Sequence, residues 1–379
     1  MIGEVRIENY KSIQKLKLEL GRVTVLIGEN GCGKSNILEA IALASAAADD
    51  KLDNEFLASR GIRVTEPQFM RSAFEKENLD KDISIEIRGN NDTIKIRFIL
   101  NNDNTPYARW RNHFYYGISE EERNLERAYR PLAAWEYNSF LDSRDRQYQF
   151  IRKTNIKTLK IQEFIIYSPE NIALRTFEKE GQIQPLGING EGLFKLLKVL
   201  NSDNQEQLNE INKKLQLIDW FQDFEAPPNL SSIQNSLQIK DRYLDPDLAY
   251  FDQRSSNEGF LFLLFYFALF ISDITPKFFA IDNIDASLNP RLCRRLMQEL
   301  VELAKKHDKQ VIFTTHNPAV LDGLDLGDEE QRLFVIYRSQ LGHTKAIRIL
   351  KPKPLEGQEP VKLSEAFLRG YIGGLPENF

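Results

Sequence analysis

Apolar residues recur along this chain at two spacings, one typical of β-strands and the other of α-helices. The run Val23–Ile27 is apolar and β-branched, which predicts a strand buried on both faces. The run Asn36–Ala48 is rich in Ala, Leu and Ile, which predicts a helix. Two alternating segments, 83–88 and 94–100, flank the turn Gly89–Asp92 and predict a pair of antiparallel strands.

Strand and helix patterns alternate again in the C-terminal third. Four apolar residues and one acid, Phe278–Asp282, predict a buried strand, and Gln310–Thr315 predicts a second one. The segment between them, Arg291–Lys306, predicts a helix. A strand, helix and strand at this spacing form a βαβ unit, so the two strands should be parallel neighbours. Their carboxyl ends should face the same edge of the sheet as the loop after Ile27.

The middle of the chain has a weaker pattern. Residues 164–167 predict a short strand, and residues 190–224 have a helical pattern with leucines on one face. Sustained heptads are absent from the sequence, so no long coiled-coil arm is expected. We therefore expect one α/β head formed by residues 1–100 and 250–379, with residues 101–249 inserted between them as a region that contains a helical lobe.

The composition is that of a soluble globular protein, with 42% hydrophobic and 28% charged residues over 379 positions. No apolar run approaches the ~20 residues of a membrane span, and the N-terminus lacks a signal-peptide pattern. Two cysteines, Cys32 and Cys293, do not suggest a disulfide framework, so we expect a cytoplasmic protein without membrane contact. With a net charge of −5, nucleic-acid binding would need a local basic patch.

The loop after the first buried strand carries the strongest chemical signal. Residues Gly28–Ser35 read G-E-N-G-C-G-K-S, a full match to the phosphate-binding pattern G-x-x-x-x-G-K-[ST] in its strand-to-helix context. The glycines allow successive backbone N–H groups to face one phosphate chain, and the helix N-terminus adds positive potential. Lys34 would reach the β- and γ-phosphates, and the Ser35 hydroxyl would ligate Mg²⁺. The residues predicted to bind ATP and Mg²⁺ in this P-loop are Asn30, Gly31, Cys32, Gly33, Lys34, Ser35 and Asn36.

Two residues at the ends of the C-terminal strands fit the same site. Asp282 ends an apolar strand, as in a Walker B motif, and its carboxylate would hold Mg²⁺ together with Ser35. His316 follows the next strand in line with Asp282, which favours a contact with the γ-phosphate over a purely structural role. Either residue alone is a weak signal, but with the P-loop they indicate one nucleotide site.

Together these motifs resemble a known family. The chain is similar to the ABC-type ATPases of the SMC and RecF group, and more closely to compact bacterial ATPases related to overcoming-lysogenization proteins, including those found in antiphage defence operons. The resemblance covers residues 1–48 and 250–379. The residues that carry it are Ile7–Ser12, the P-loop, Asp282, Ala286–Asn289, Thr315 and His316. It implies an α/β P-loop NTPase with an ABC-type head, a mixed or parallel central sheet, an antiparallel β-subdomain and an inserted helical lobe.

The resemblance also implies a second, composite half of the site. Ala286–Asn289 would be the D-loop, and the signature loop would lie within Arg254–Gly259. Ser256 or Ser255, together with Gly259, would then meet the γ-phosphate of the other subunit in a head-to-tail dimer. A homodimer or higher oligomer is therefore expected. The alternative interpretation is an ordinary Ser/Asn helix cap.

The residue after the Walker B acid departs from the family pattern. A glutamate that polarises the attacking water is expected there, but the chain has Asn283, whose amide cannot accept a proton as a carboxylate does. Three interpretations stay open: Asn283 orients water and turnover is slow, Asp285 on the same side of a continuing strand supplies the carboxylate, or ATP is bound and not hydrolysed. We favour slow hydrolysis, with Asn283, Asp285 and the switch histidine His316 as catalytic candidates. The Q-loop glutamine is also absent after strand 164–167, where Gln68 is a weak substitute.

Residues 101–160 combine basic and aromatic side chains, a combination that binds nucleic acid through phosphate contacts and stacking. Interleaved acidic residues favour a mixed-charge surface with buried aromatics instead, and a surface for a partner protein is a third interpretation. The tail Leu363–Phe379 is similar to the end of the compact ATPases, but its chemistry predicts no role.

The function expected from the whole sequence is that of an ATPase that controls a partner effector. The effector would be a nuclease-type subunit in a DNA-related process or antiphage defence, with nucleic acid as a candidate ligand. No residue set in the chain itself has the pattern of a nuclease. The alternative is a scaffold or sensor that holds ATP without hydrolysing it.

Overall fold

The computed structural model describes residues 1–90, 94–105, 108–116, 154–175, 186–226, 236–248, 250–351 and 361–375. Within these ranges the strands, numbered in chain order, are β1 (Ile2–Tyr10), β2 (Ile13–Glu19), β3 (Val23–Ile27), β4 (Ile83–Gly89), β5 (Lys95–Asn101), β6 (Arg111–Tyr116), β7 (Ile166–Tyr167), β8 (Phe221–Glu225), β9 (Gln238–Asp241), β10 (Tyr250–Asp252), β11 (Phe278–Ile281), β12 (Gln310–Thr315), β13 (Gln331–Arg338) and β14 (Thr344–Ile349). The α-helices are α1 (Lys34–Ala48), α2 (Asn54–Ser59), α3 (Pro67–Met70), α4 (Asn171–Arg175), α5 (Leu193–Asp203), α6 (Gln205–Leu215), α7 (Glu258–Ile271), α8 (Pro290–Lys306) and α9 (Leu363–Leu368).

A six-stranded mixed sheet lies at the centre of the fold, in the order β14-β13-β3-β12-β11-β7. β3 pairs in parallel with β12 and β13, and β11 pairs in parallel with β12 and β7. Only β14 of these runs antiparallel to its neighbour. Every residue of β3, β11 and β12 is buried, which explains their continuous apolar runs. The predicted βαβ unit is confirmed, since α8 connects the parallel neighbours β11 and β12.

A five-stranded antiparallel sheet covers one side of the head, in the order β2-β1-β4-β5-β6. In β5 the buried residues Ile96, Phe98 and Leu100 alternate with more exposed ones, as expected for a sheet with one face on the core. The predicted pairing of 83–88 with 94–100 is confirmed by the β4–β5 pair. The predicted antiparallel β-subdomain is therefore present.

Two hydrophobic clusters lie on opposite faces of the central sheet. Val25 of β3 belongs to one cluster and its neighbour Leu26 to the other, because successive side chains of a strand point to opposite faces. Helix α1 packs in the cluster with the antiparallel sheet, while α7 and α8 pack in the other. Residues 260–271 of α7 are buried at every position. None of the helices in the described ranges is both long and apolar enough to cross a membrane.

The middle of the chain differs in part from its prediction. The helical pattern over 190–224 forms α5 and α6, but its end forms strand β8. Phe221 and Phe224 are buried at a spacing of three, which suits a helix, and pairing with β9 produces a strand instead. β6 and β7 lie within 101–249, but β6 belongs to the five-stranded sheet and β7 to the six-stranded sheet. The division of the chain into three parts stays a prediction. Predictions for residues 117–153 and 376–379 lie outside the described residues.

Candidate functional site

The P-loop connects β3 to α1. Its last glycine, Gly33, has a φ of +108°, and a Cβ there would lie 2.1 Å from the Thr344 hydroxyl, so glycine alone fits. Lys34 begins α1 and is 5% exposed. Its Nζ donates to the carbonyl oxygens of Gly28 at 2.9 Å and Glu29 at 3.0 Å. Through these two hydrogen bonds the amine lies folded against the loop that would receive the phosphates. Burial is the main cause that lowers the pKa of Lys34.

The Walker B acid meets the P-loop serine. Ser35 Oγ donates to Asp282 Oδ2 at 3.0 Å, although the two residues are 247 positions apart. The second carboxylate oxygen, Oδ1, accepts from the Thr314 hydroxyl. One hydroxyl and one carboxylate are hard oxygen donors, the set that Mg²⁺ takes when substrate phosphates and water complete its shell. These residues therefore fit a magnesium ion that arrives with a nucleotide.

His316 lies beside the P-loop at the end of β12. Its ring lies beside the backbone carbonyl of Gly28, which slightly favours the charged form of the ring. Partial burial, followed by the charge of Lys34, lowers the pKa of His316, while Asp285 and Asp282 oppose this shift. The imidazole is therefore neutral at pH 7, with one N–H to donate.

The segment after β11 consists of tight turns. β11 ends at Ile281, and Asn283 has a φ of +57°, so the strand does not continue to Asp285, as its alternation with Asn283 would require. The chain turns there because Asn tolerates the left-handed conformation better than most residues. The exposed Asn283 donates its backbone N–H to Thr314 Oγ1 at 2.9 Å. Asp285 Oδ1 instead accepts from Thr315 Oγ1 at 2.5 Å, which fixes this carboxylate at the end of β12.

The predicted signature loop leads from β10 into α7. Asn257 is the N-cap of this helix, and its side chain accepts from the backbone N–H of Phe260 at 2.9 Å. Ser256 is 3% exposed, and its hydroxyl lies 3.5 Å from the carbonyl oxygen of Asn257. Gly259 lies in the first turn of α7, where a Cβ would be 3.5 Å from the Ser287 carbonyl of the predicted D-loop. The helix-cap interpretation therefore applies to Asn257. The predicted signature loop also lies next to the predicted D-loop of the same chain.

Arg175 fixes the start of the predicted signature loop. This residue ends α4, and its Nη1 donates to the carbonyl oxygens of Gln253 at 3.2 Å and Arg254 at 2.6 Å. The side chain of Ser255, the next residue, is exposed. The loop is therefore held by its backbone while Ser255 faces solvent.

The place predicted for a Q-loop lies between β7 and α4, beside the same edge of the central sheet. Ser168 there donates its backbone N–H to the carbonyl of Ile188 at 2.7 Å. Gln68 lies on the short helix α3, where it donates to Glu66 at 2.8 Å. The position of a Q-loop stays a prediction.

The hairpin of β13 and β14 supports the P-loop, a role that sequence reasoning missed. Arg338 donates through Nε to the Gly31 carbonyl at 2.9 Å. Thr344 donates through Oγ1 to the Cys32 carbonyl at 2.8 Å. These contacts join residues about three hundred positions apart, and no local pattern around Arg338 or Thr344 indicates them.

A second missed group lies on the first turns of α1. Glu39 is 1% exposed and pairs with Lys11 and with Arg63 Nε, the latter at 2.5 Å. Arg63 also donates to Asn36 Oδ1 at 3.1 Å, and Asn36 Nδ2 donates to Ser12 Oγ at 2.6 Å. The network connects the P-loop helix to the β1–β2 turn. In the sequence, these turn residues indicate only the family resemblance.

The fold and the site define the class of this protein, a P-loop ATPase of the ABC, SMC and RecF type. A crystal structure of "the SmcHead bound to the C-winged helix domain of ScpA" has a TM-score of 0.58 and 15% identity, over 92% of this chain and 98% of that one. An Smc head with an extended coiled coil, bound to the C-terminal domain of ScpA derived from Pyrococcus furiosus, has a TM-score of 0.53 and 14% identity, over 92% and 96%. At these identities the likeness shows the fold alone.

The family follows from a sequence match. The family described as "AAA domain, putative AbiEii toxin, Type IV TA system" matches residues 23–322, so the chain belongs to it. This family, the SMC-like fold and the RecF relative described next together confirm the predicted resemblance to SMC and RecF-type ATPases.

Two curated relatives match short segments. "Uncharacterized protein MJECL10" of Methanocaldococcus jannaschii is 40% identical over 67 residues, which are 16% of this chain and 31% of the relative. "DNA replication and repair protein RecF" of Bacillus thuringiensis (strain Al Hakam) is 38% identical over 55 residues, 14% of this chain and 15% of the relative. The chain spans less than a third of the length of either relative.

Proposed function

We propose that this protein binds ATP together with Mg²⁺ in the P-loop and hydrolyses it slowly. The observation that carries the proposal is the contact between Ser35 Oγ and Asp282 Oδ2, 3.0 Å apart. A Walker A hydroxyl and a Walker B carboxylate point at one place, beside the N-terminus of α1. An anion is favoured there because the helix N-terminus and its free N–H groups attract negative charge.

Each residue of the site has a defined task in this proposal. Lys34 leaves the Gly28 and Glu29 carbonyls and neutralises the β- and γ-phosphates. Ser35 and Asp282 hold Mg²⁺, which supplies charge stabilisation at the phosphate oxygens when bound. His316, neutral and already beside Gly28, donates its N–H toward the γ-phosphate.

Hydrolysis is slow in this proposal because, within the described ranges, an amide and a hydrogen-bonded carboxylate lie where the general base is expected. Asn283 is an exposed amide that can orient water but cannot take its proton. Asp285 accepts a hydrogen bond from Thr315 at 2.5 Å, and this contact would have to open before the carboxylate could act as a base. A second candidate function, a non-hydrolysing ATP-bound scaffold or sensor, is supported by the same two observations.

The proposal extends to a dimer of two heads that close head-to-tail on ATP. Each head would present Ser255, Ser256 and Gly259 to the γ-phosphate held by the other. The exposure of Ser255 and the cap at the start of α7 support this arrangement. Ser256 is buried and would have to turn outward on closure.

We also propose that head closure controls a partner effector protein of nuclease type, in a DNA-related process or antiphage defence. The family description, which names a toxin of a toxin–antitoxin system, supports a defence role. The solved SmcHead is bound to a domain of another protein, ScpA, which supports partner docking on this fold. RecF is by name a DNA replication and repair protein, which keeps nucleic acid as a candidate ligand.

The decisive experiment is ATP binding by Lys34→Ala, measured by calorimetry with Mg²⁺. The variant removes the buried amine that pairs with the phosphates, so binding should be lost. Lys213→Ala, at an exposed position on α6, is the matched control and should bind like the wild type. Equal affinity of wild type and Lys34→Ala would reject the P-loop assignment and the proposed function.

A further inference from the structure

The C-terminal segment, residues 363–375, is fixed at its start to the region after His316. Ser364 donates to Asp322 through its backbone N–H at 3.0 Å and through its hydroxyl at 2.7 Å. Asp322 belongs to the 3-10 helix Pro318–Gly323, which begins two residues after His316. Phe367 of α9 is 6% exposed and packs in the core cluster of the central sheet. The segment is therefore an integral part of the head.

The same segment ends against the first residue of the P-loop. A Cβ on Gly374 would lie 2.5 Å from Val335 Cγ1, 3.2 Å from Phe367 and 3.8 Å from Gly28 Cα. Real Cβ atoms do not approach other atoms to 2.5 Å, so the packing against Val335 favours glycine, while the approach to Gly28 is an ordinary van der Waals distance. Gly374 also has a φ of +84°, a conformation that glycine adopts without strain.

Gly28 is the point where three parts of the head meet. Its carbonyl accepts a hydrogen bond from Lys34 Nζ at 2.9 Å, and the His316 ring lies beside it. A Cβ on Gly28 would lie 2.1 Å from the Ile336 carbonyl, so β13 closes its other side. A shift of Gly28 would therefore move the acceptor of Lys34 and the surroundings of His316.

We infer that the C-terminal segment is a positioning element of the nucleotide site, in which Gly374 holds Gly28 so that Lys34 and His316 face the bound phosphates. The inference rests on the proposed nucleotide site, and it gives the tail of the chain a role that its own chemistry does not indicate. Gly374 acts through Gly28 and touches no phosphate itself.

The chain contains a matched pair of glycines for the test. Gly373 has a φ of +74°, close to that of Gly374, but a Cβ there would meet nothing within 4 Å. Gly373→Ala and Gly374→Ala therefore carry similar backbone strain, and only the second pushes on Val335, which pairs with Ile27 directly before Gly28. We expect Gly374→Ala to weaken ATP affinity at least about tenfold, equivalent to about 1.4 kcal/mol. Gly373→Ala should bind ATP like the wild type.

Cys32 provides a readout that needs no nucleotide. The chain has two cysteines, and both Cys32 and Cys293 are buried. Cys32 Sγ lies 3.1 Å from the position of a Cβ on Gly28, so its exposure reports displacement of Gly28. Alkylation of Cys32, followed by mass spectrometry without ATP, should be at least about tenfold faster in Gly374→Ala, because the rate follows the open population. Cys293 reports unfolding of the whole head.

Faster alkylation of Cys32 alone in Gly374→Ala, with Gly373→Ala unchanged, would support the inference. Equal alkylation rates and ATP affinities in the two variants would overturn it, as would equal acceleration at Cys32 and Cys293. If Gly374→Ala does not fold, Ser364→Ala loosens the other anchor and should raise Cys32 alkylation by a smaller factor. No rise in that variant would overturn the inference. Failure of the proposed function would instead appear as unchanged ATP binding in Lys34→Ala, whatever the alkylation rates are.

Discussion

The P-loop and the predicted signature loop belong to the same head but are built differently. At the P-loop, polar groups from distant parts of the chain already contact one another, as Ser35 and Asp282 do at 3.0 Å. At the signature loop, Asn257 caps α7 and the Ser256 side chain is buried. One region has its reactive groups gathered, while the other uses its polar groups to begin a helix.

In the proposed function this difference means that one chain supplies the phosphate and metal half of the site and only a latent second half. In the P-loop half, Lys34 and Ser35 already contact Gly28 and Asp282 of the same chain. In the proposed dimer, the signature loop would contact a phosphate only when a second head brings one to it. The predictions below therefore perturb one half at a time.

The largest effect is expected on the reactive half, at Asn283. Asn283→Glu places a carboxylate where the general base is expected and should raise ATP turnover by ~10²–10⁴-fold. Asn283→Gln is the matched control, because it has the same length and the same backbone strain at φ +57° but no carboxylate. Steady-state phosphate release at saturating ATP measures both.

Equal turnover in the Glu and Gln variants would show that Asn283 does not stand in for a missing base. Rapid ATP turnover by the wild type would contradict both the slow-hydrolysis proposal and the alternative of a non-hydrolysing scaffold. Asp282→Ala should lose the metal site and so separate metal loss from base loss.

A smaller effect is expected on the latent half, at Ser255. Ser255→Arg puts a large cation on the exposed face of the signature loop and should weaken ATP-dependent dimerisation at least about tenfold, since an unpaired charge at an interface is costly. Ser202→Arg, at an exposed serine of α5, should dimerise like the wild type. Light scattering with and without a non-hydrolysable ATP analogue gives the mass of each.

A mass that does not change with the analogue in the wild type, or a Ser255→Arg variant that dimerises normally, would contradict the composite site. ATP binding to each protein should be checked in parallel, because the P-loop half must remain intact for the comparison.

The sequence was most informative where a buried strand and a fixed motif coincide. β3, β11 and β12 lie where their apolar runs indicate, because parallel central strands are apolar on both faces. The P-loop and Asp282 could be found because their spacing relative to a strand is fixed by phosphate and metal chemistry.

Other parts of the site could not be predicted, because they depend on long-range contacts. Arg338 donates to Gly31 and Gly374 lies close to Gly28 across most of the chain, and neither residue has a local motif. The position of Asp285 could not be predicted because it depends on where the strand ends, at Ile281, and a strand end is not visible in a short apolar run.

The central claim is that Ser35 and Asp282 form one magnesium site for a bound nucleotide. A double-mutant cycle tests it, with Ser35→Ala, Asp282→Asn and the double variant, and with ATP affinity measured by calorimetry with and without Mg²⁺. We expect each single change to remove most of the Mg²⁺-dependent gain in affinity and the double change to add little, a coupling of about 1–3 kcal/mol. Additive losses, or an undiminished Mg²⁺ dependence in either single variant, would contradict the claim.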